Sequence, residues 1–206
     1  MDQKGARRRC PKVSREYLAP GPAAVDPDGP RPEVLSSREV FAGKIINVRV
    51  DEIALSGGRT ATRETVRYPG AVVVIALTDD GEVTLVRQYR HSIGRYLLEF
   101  PAGGLERGED PLLSAQRELR EEAGLDAGTW TSLGSFFSSP GFANEILHVF
   151  LAEDLRPGHA DTDEDEDLQV VRYKVKELYG HPEQIHDAKS LAALVLLQKA
   201  RSGVAT

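Results

Sequence analysis

The chain has 206 residues, of which 40 % are hydrophobic and 28 % charged, with a formal net charge of −6. This composition is typical of a soluble globular domain, and the acidic balance argues against a nucleic-acid-coating surface. The single cysteine, Cys10, excludes an internal disulfide, and no apolar run reaches the roughly 18 residues of a membrane span. No apolar signal segment follows "RRRC", so we expect a cytoplasmic protein without membrane or nucleic-acid partners.

The first part of the chain divides into a tail and a run of short strands. Residues 1–33 hold six of the twelve prolines, which predicts a flexible tail. Residues 34–68, with "KIINVRVDEIAL" and "TRETVRYP" around an "SGG" turn, predict a small N-terminal antiparallel β lobe. Residues 69–206 would form the main domain, and the unbroken apolar run from Val72 to Leu77 predicts a strand buried on both faces.

The middle of the chain contains the clearest helix signal. Asp110 is a good N-cap, Pro111 suits the first helical position, and Gly124 suits the left-handed position after the helix. These signals predict a helix between Asp110 and Gly124.

The last third of the chain predicts more strands and a final helix. "WTSLGSFFSS", "EILHVFLAE" and "LQVVRYKV" are typical of strands. The helix would begin near Ala188 with Asp187 as its cap, and would bury a stripe of Leu191, Leu194 and Val195. Many strands with few helices between them predict an α+β or α/β fold, an α/β/α sandwich with a mixed sheet.

The predicted helix after Asp110 carries two faces of different chemistry. An apolar stripe recurs at spacings of three and four, and three carboxylates cluster at its edge: Glu118, Glu121 and Glu122. The clustering of charge by itself is explained by an ordinary solvated helix face. Arg117 can pair with Glu121 four residues on, and the repulsion between Glu118 and Glu122 costs only about 0.2–0.5 kcal/mol. Dense hard oxygen ligands also suit Mg²⁺ or Mn²⁺, and no Cys/His cluster suggests zinc.

The spacing of the residues around this helix decides between these interpretations. From Gly103 the order is five residues, Glu109, seven residues, and then the segment "RELREEAGL" from Arg117 to Leu125. This pattern resembles the Nudix box of the Nudix hydrolases at every specified position. The resemblance implies a Nudix-like sandwich and a metal-dependent hydrolase of a nucleoside diphosphate linked to another moiety.

The resemblance also implies roles for residues of the box. The metal ligands would be the carbonyl of Ala102 and the carboxylates of Glu118, Glu121 and Glu122. Arg117 would orient the glutamates and Glu109 would fix the loop to the helix. Gly103 and Gly104 would let the backbone approach the metal site closely.

Flanking segments resemble the ADP-ribose pyrophosphatase branch of the family. The similar segments are "TRETVRYPGAVVV", "VRQYR", "LEFPAGGLERGE" and "SSPGFANE", in which Pro140 lies sixteen residues after Gly124. The resemblance implies that ADP-ribose is bound by Arg63, Glu64, Arg90, Glu99, Gly104, Ser139, Pro140, Gly141 and Glu145. Arginine suits a diphosphate because its planar fork meets two oxygens at once.

An acidic segment, "DTDEDEDLQVV" from Asp161 to Val171, remains to be assigned. An EF-hand loop starting at Asp163 would need glycine at Leu168, so calcium is rejected. In the ADP-ribose branch a mobile acidic loop at this place supplies the base and a metal ligand. The resemblance implies Glu164 as base and Glu166 as catalytic metal ligand, although their roles could be exchanged.

The resemblance implies Mg²⁺-dependent hydrolysis of ADP-ribose to AMP and ribose 5-phosphate, and it also implies a homodimer paired through the N-terminal lobe. Glu121 would assist catalysis as a ligand or through water. Two alternatives stay open: a Nudix hydrolase of another nucleoside diphosphate derivative, such as a nucleotide sugar, a dinucleoside polyphosphate or an oxidised nucleotide, and a non-catalytic ADP-ribose-binding regulator.

Overall fold

The chain folds into a small three-stranded sheet and a larger seven-stranded sheet. The structure, a computed structural model, describes residues 31–158 and 168–203. The small sheet is antiparallel and consists of β1 (Val34–Ala42), β2 (Asn47–Ala54) and β3 (Thr60–Arg67) in that order. Every residue of β1 is exposed, so none of the described residues covers this strand.

The larger sheet is mixed. Its strands are β4 (Ala71–Leu77), β5 (Glu82–Arg90), β6 (Arg95–Glu99), β7 (Ala102–Gly104), β8 (Leu125–Phe137), β9 (Ile146–Pro157) and β10 (Leu168–Lys174). The main order is β10-β5-β4-β9-β8, with β6 paired to β5 and β7 paired to β4. Only the β4–β9 pair among these is parallel, which brings the start of both strands to one end of the sheet.

Helices cover both faces of this sheet. Alternate side chains of β4 point to opposite faces, and all seven residues of the strand are buried. Val72, Val74 and Ala76 pack with α1 (Pro111–Ala123). The other face packs with α2 (Val175–Gly180) and α3 (Ala188–Arg201). The predicted α/β/α sandwich with a mixed sheet is therefore confirmed, and so is the buried strand at Val72–Leu77.

The last helix begins where the sequence predicts but buries a different stripe. Asp187 caps α3 by accepting a hydrogen bond from the Ser190 amide, and Leu194 is buried. The prediction that Val195 faces the core is wrong, since Val195 is 64 % exposed. The helix instead buries Ser190, Ala193, Leu194 and Leu197, because its first turn is fixed by polar contacts rather than by apolar periodicity. None of the helices in the described ranges is long and apolar enough to cross a membrane.

Candidate active site

The box helix is held at both ends by the residues that its sequence suggests. The Asp110 carboxylate accepts a hydrogen bond from the Leu112 amide at 2.8 Å, and Pro111 occupies the first helical position. Gly124 ends the helix with a left-handed φ of 63°, a conformation that costs little only for glycine. The predicted helix boundaries are confirmed.

Two glutamates of α1 point toward β7. Glu118 and Glu122 are only 8 % and 5 % exposed. The Ala102 amide donates a hydrogen bond to Glu122 Oε2 at 2.9 Å, and the Glu118 carboxylate lies directly over Gly103. A Cβ at Gly103 would overlap that carboxylate, so glycine at this position creates the space that the carboxylate fills.

Arg117 joins the helix to the preceding loop. Its Nη1 lies 2.7 Å from Glu118 Oε1 and 2.8 Å from Glu121 Oε2, and its Nε donates to Glu109 Oε1 at 3.3 Å. Its Nη2 also donates to the Gly104 carbonyl at 3.2 Å. Burial alone would lower the pKa of Arg117, but hydrogen bonds with Glu109 and Glu121 and the Glu118 charge outweigh it and raise the pKa. Arg117 thus stays charged and holds these glutamates in place.

The box residues enclose one small cavity. Its volume is about 150 Å³, and it is lined by Ala102, Gly103, Gly104, Arg117, Glu118, Glu121 and Glu122. Buried carboxylate oxygens beside a backbone carbonyl fit a hard divalent cation, and the space over Gly103 admits them closely. Within the described ranges no group of three or more His, Cys, Asp or Glu side chains is arranged so that it could hold a metal ion. In this arrangement Arg117 and the Ala102 amide engage carboxylate oxygens of the box.

Arg90 lies at the end of β5 and is locked by Glu99. Arg90 Nε and Nη2 donate to the two oxygens of Glu99 at 2.8 and 2.6 Å, a two-point contact. The Arg90 side chain is 37 % exposed, whereas that of Glu99 is 1 % exposed. The hydrogen bonds that Arg90 donates to Glu99 raise the pKa of Arg90, and the charge of Glu122 adds to the rise. Arg90 is therefore near enough to Glu122 for the two charges to interact, while the Glu99 side chain is buried.

The loop between β8 and β9 is fastened to the end of β3. The Val66 amide donates to the Phe142 carbonyl at 2.8 Å, and the Asn144 amide donates to the Val66 carbonyl at 3.2 Å. The Tyr68 amide donates to Asn144 Oδ1 at 2.8 Å. Inside the loop the Ser139 carbonyl accepts from the amides of Phe142 and Ala143. The predicted loop residues Ser139, Pro140 and Gly141 thus lie in a tethered turn.

Tyr68 connects this loop with the box. A Cβ at Gly104 would lie 2.7 Å from Tyr68 Oη, so the phenol hydroxyl covers the Gly104 backbone. Burial raises the pKa of Tyr68, and the nearby carboxylates of Glu145 and Glu118 raise it further, while Arg90 lowers it. Glu145 and Arg90 are therefore both close enough to the box to act on the same hydroxyl.

Other predicted site residues lie apart from this cluster or outside the described residues. Arg63 and Glu64 are exposed on β3 of the small sheet, where Arg63 Nη1 donates to the Thr62 carbonyl at 2.9 Å. They do not line the box cavity. Glu164 and Glu166, with the neighbouring Asp165, belong to the acidic segment that lies outside the described residues.

Sequence reasoning missed two residues of this region, Tyr68 and Lys189. Lys189 lies in the first turn of α3 and pairs with Glu99 and with Asp187. A lysine is unfavourable near a helix N-terminus, where the helix dipole repels it. A lysine two residues after the predicted cap Asp187 therefore indicates that carboxylates nearby stabilise its charge. Tyr68 stands in the segment "RYPGAVVV" with no local feature that predicts its contact with Gly104.

Comparisons with known proteins agree with this geometry. A model of the NUDIX domain matches residues 67–194, and a model of the nucleoside diphosphate sugar hydrolase N-terminal domain matches residues 33–66. The ADP-ribose pyrophosphatase of Bacillus subtilis is 40 % identical over 170 residues, which cover 81 % of this chain and 92 % of that protein. The methanol dehydrogenase activator of Bacillus methanolicus is 39 % identical over the same coverage. A crystal structure of an ADP compounds hydrolase, 26 % identical, aligns with a TM-score of 0.76 over 84 % of this chain and 96 % of that one.

These similarities confirm the predicted resemblance to the Nudix hydrolases and to their ADP-ribose pyrophosphatases. Nudix hydrolases generally need a divalent metal ion, for which the carboxylates around Gly103 provide suitable oxygens. The sandwich, the complete box and the family match lead to the same assignment: the chain belongs to the Nudix hydrolase family.

Proposed function

We propose that this protein hydrolyses the diphosphate of ADP-ribose and releases AMP and ribose 5-phosphate. The observation that carries the proposal is the buried pair Glu118 and Glu122 beside β7, with Arg90 at the end of β5 within electrostatic range of Glu122. The similarity to an ADP-ribose pyrophosphatase over 92 % of that protein's length supports the choice of substrate. The cation would be Mg²⁺, or Mn²⁺ as a substitute with the same ligand preference.

The cation would be held by the carbonyl of Ala102 and by the carboxylates of Glu118, Glu121 and Glu122, with Glu166 joining them. When bound, it supplies Lewis-acid polarisation of the phosphate oxygens and lowers the pKa of a coordinated water. The cavity of about 150 Å³ and its oxygen donors support this assignment. Arg117 would continue to align Glu118 and Glu121 for this task.

The remaining residues would bind the substrate and accept the proton of the attacking water. Arg90 would bind the diphosphate with the donors that Glu99 leaves unused, and Gly104 would admit the substrate next to the backbone. The tethered loop with Ser139, Pro140, Gly141 and Glu145 would form the opposite wall. Glu164 would accept a proton from the attacking water, and no covalent nucleophile is required.

We also infer that two chains pair through the N-terminal sheet, residues 34–68. Its exposed side chains include large apolar residues, namely Val34, Leu35, Val40, Phe41, Ile45 and Ile46. Exposed apolar clusters of this kind mark interaction surfaces. Pairing would bring Arg63 and Glu64 of the small sheet toward an adenine site. We further propose a cytoplasmic location, with which the single cysteine is compatible.

The test is a turnover panel of ADP-ribose, ADP-glucose, FAD, diadenosine polyphosphates and 8-oxo-dGTP. Each is incubated with the protein and Mg²⁺, with Mn²⁺, and with a chelator. We expect AMP to form chiefly from ADP-ribose and only when a cation is present. A clear preference for another compound would contradict the proposed substrate while leaving the family chemistry intact.

A second candidate function is binding of ADP-ribose without turnover, as a regulator. The observation that favours it is the similarity to a protein named as an activator of methanol dehydrogenase, nearly equal to the similarity to the pyrophosphatase. Calorimetry with ADP-ribose discriminates between the two. Binding without release of AMP at any cation concentration would establish the regulator and reject the hydrolase.

A further inference from the structure

A buried ionic network lies behind Arg90. The Glu99 carboxylate, 1 % exposed, receives Arg90 from one side and the Lys189 ammonium from the other. Lys189 Nζ also lies 2.9 Å from Asp187 Oδ2. The network spans the chain, because 90 residues separate Glu99 from Lys189.

The first turn of α3 fixes Lys189 rigidly. Asp187 Oδ2 accepts hydrogen bonds from the Ser190 amide at 3.0 Å and from the Ser190 hydroxyl at 2.7 Å. Ser190 Oγ in turn accepts from the Phe100 amide at 2.9 Å, directly after Glu99 in the chain. Ser190 is completely buried, so the start of α3 and the end of β6 are held together.

Burying this network costs desolvation free energy, and side-chain packing alone does not explain why it is present. Buried ion pairs seldom stabilise a fold more than apolar side chains of the same size would, since their desolvation offsets the attraction. Lys189 also stands at the positive end of the α3 dipole. A lysine placed there against both penalties suggests a role in charge and geometry at Arg90.

The charges show what that role is. With Lys189, two positive side chains, Arg90 and Lys189, face two negative ones, Glu99 and Asp187. Without Lys189 the negative side chains outnumber Arg90, and Glu99 would neutralise the guanidinium alone. Shared with Lys189, Glu99 aligns Arg90 through two hydrogen bonds while cancelling only part of its charge.

We propose that Lys189 is a positioning residue for substrate binding, which keeps Arg90 both oriented by Glu99 and electrostatically positive toward an anionic diphosphate. This inference rests on the proposed function, in which Arg90 binds the diphosphate. Lys189 acts through Arg90 and touches no reacting atom. Its loss should therefore weaken binding of the substrate rather than slow the chemical step.

The test compares Lys189→Met and Lys189→Arg with the wild type. We expect Lys189→Met to raise KM for ADP-ribose about tenfold, the order of one lost charge-assisted hydrogen bond, and to change kcat little. Lys189→Arg keeps the charge and should return KM toward the wild-type value. Neither substitution touches Glu99, so both hydrogen bonds that align Arg90 stay available in each variant.

The control is Lys199→Met, which removes one positive charge from an exposed position of the same helix. Thermal unfolding of every variant and the Kd of a non-hydrolysable methylene analogue of ADP-ribose are measured alongside. A purely structural Lys189 would leave Lys189→Met, which keeps the length of the side chain, less impaired than Lys189→Arg, which keeps only the charge. That result, an unchanged KM in Lys189→Met, or an equal rise in Lys199→Met overturns the proposal.

Failure of the proposed function gives a different result. If the wild type does not hydrolyse ADP-ribose, the same variants are compared with whichever diphosphate of the panel it does hydrolyse. The same order of KM values there supports the role of Lys189 and rejects only the substrate. A wild type that binds the analogue without hydrolysing any compound rejects the hydrolase and leaves Lys189 to be judged by the Kd values of the variants, and one that does neither overturns both proposals.

Discussion

At the scale of single residues, the site depends on space as much as on charge. The Glu118 carboxylate lies where a side chain of residue 103 would be, and the Tyr68 hydroxyl lies where a side chain of residue 104 would approach. Consecutive glycines therefore bring two polar groups from distant parts of the chain onto one stretch of backbone. Because β7 has no side chain at residues 103 and 104, the Glu118 carboxylate and the Tyr68 hydroxyl can approach its backbone.

Replacing Gly103 by alanine tests this steric argument. The added methyl overlaps the Glu118 carboxylate, which must move away from the cavity. We expect turnover to fall about a hundredfold, as displacements near 1 Å can cost that much. The measurement is kcat with circular dichroism as a check of folding. Gly180→Ala, which meets no atom within 4 Å, is the control, and equal losses in the two variants would reject the explanation.

The two candidate glutamates of the acidic segment have different expected phenotypes. Glu164→Gln removes the proposed base and should lower kcat by about 10²–10⁴ with little change in the metal requirement. Glu166→Gln removes a proposed metal ligand and should raise the Mg²⁺ concentration needed for half-maximal activity. Titration of Mg²⁺ against turnover separates them, with Asp161→Asn as the control. The reverse pattern would exchange the two roles.

At the scale of elements, Arg117 and Glu109 tie the loop before α1 to the helix. Glu109 accepts from Arg117 and, through Oε2, from the Glu106 amide at 2.9 Å. Burial by itself would raise the pKa of Glu109, but the hydrogen bonds from Arg117 and from the Glu106 amide lower it overall. Ionised Glu109 therefore closes the loop on the helix.

Glu109→Gln should destabilise the protein in a pH-dependent way. Because folding lowers the pKa of Glu109 below 4.5, its charge adds stability above pH 4.5, and this is lost as pH falls through the lowered value. We expect a lower Tm for the variant at pH 7 and a shrinking difference below pH 4.5. Thermal unfolding across pH 3–8, with Glu106→Gln as control, measures this. A constant difference would show that Glu109 acts through shape alone.

Local sequence signals predict elements well where the information is local. Asp110, Pro111 and Gly124 define α1 within one segment, and the run from Val72 to Leu77 defines a buried strand. Strands β6 and β7 and helix α2 were not predicted, since each is short and depends on partners elsewhere in the chain. The prediction for Val195 was wrong because the contact of Ser190 with the Phe100 amide determines which face of α3 is buried, and apolar spacing alone does not show that contact.

The candidate site divides in the same way. The box glutamates follow from one continuous pattern and lie together as that pattern implies. Lys189 and Tyr68 reach the site through contacts between distant segments, and no local spacing shows such contacts. The site roles assigned to individual residues, including Arg63, Glu64 and the acidic segment, stay predictions until the variants above are measured.

At the scale of the whole molecule, the N-terminal sheet exposes several large apolar side chains. Phe41 is 53 % exposed on β1, and no residue in the described ranges covers that strand. Apolar side chains exposed together on one strand are unfavourable in a free monomer. A second copy of the sheet would cover them.

Phe41→Glu should convert a dimer to a monomer. A buried, unpaired carboxylate at the interface costs several kcal/mol, enough to dissociate many pairs. Analytical ultracentrifugation should show the wild type at twice the mass of the chain and the variant at the mass of one. Val195→Glu, at an exposed apolar position on α3, is the control. A monomeric wild type, or a dimeric Phe41→Glu, would contradict pairing through this sheet.

The hydrogen bonds between Val66, Asn144 and the neighbouring loop have a consequence for how the molecule can be divided. A boundary drawn at residue 68 passes between two sheets, yet the turn containing Pro140 is fastened to the last strand of the first sheet. Removing residues 31–66 would take away both hydrogen bonds to Val66 and leave that turn with the one from the Tyr68 amide to Asn144. The small sheet thus holds the loop that we propose as a wall of the substrate site, and the same sheet is the surface through which we propose that two chains pair.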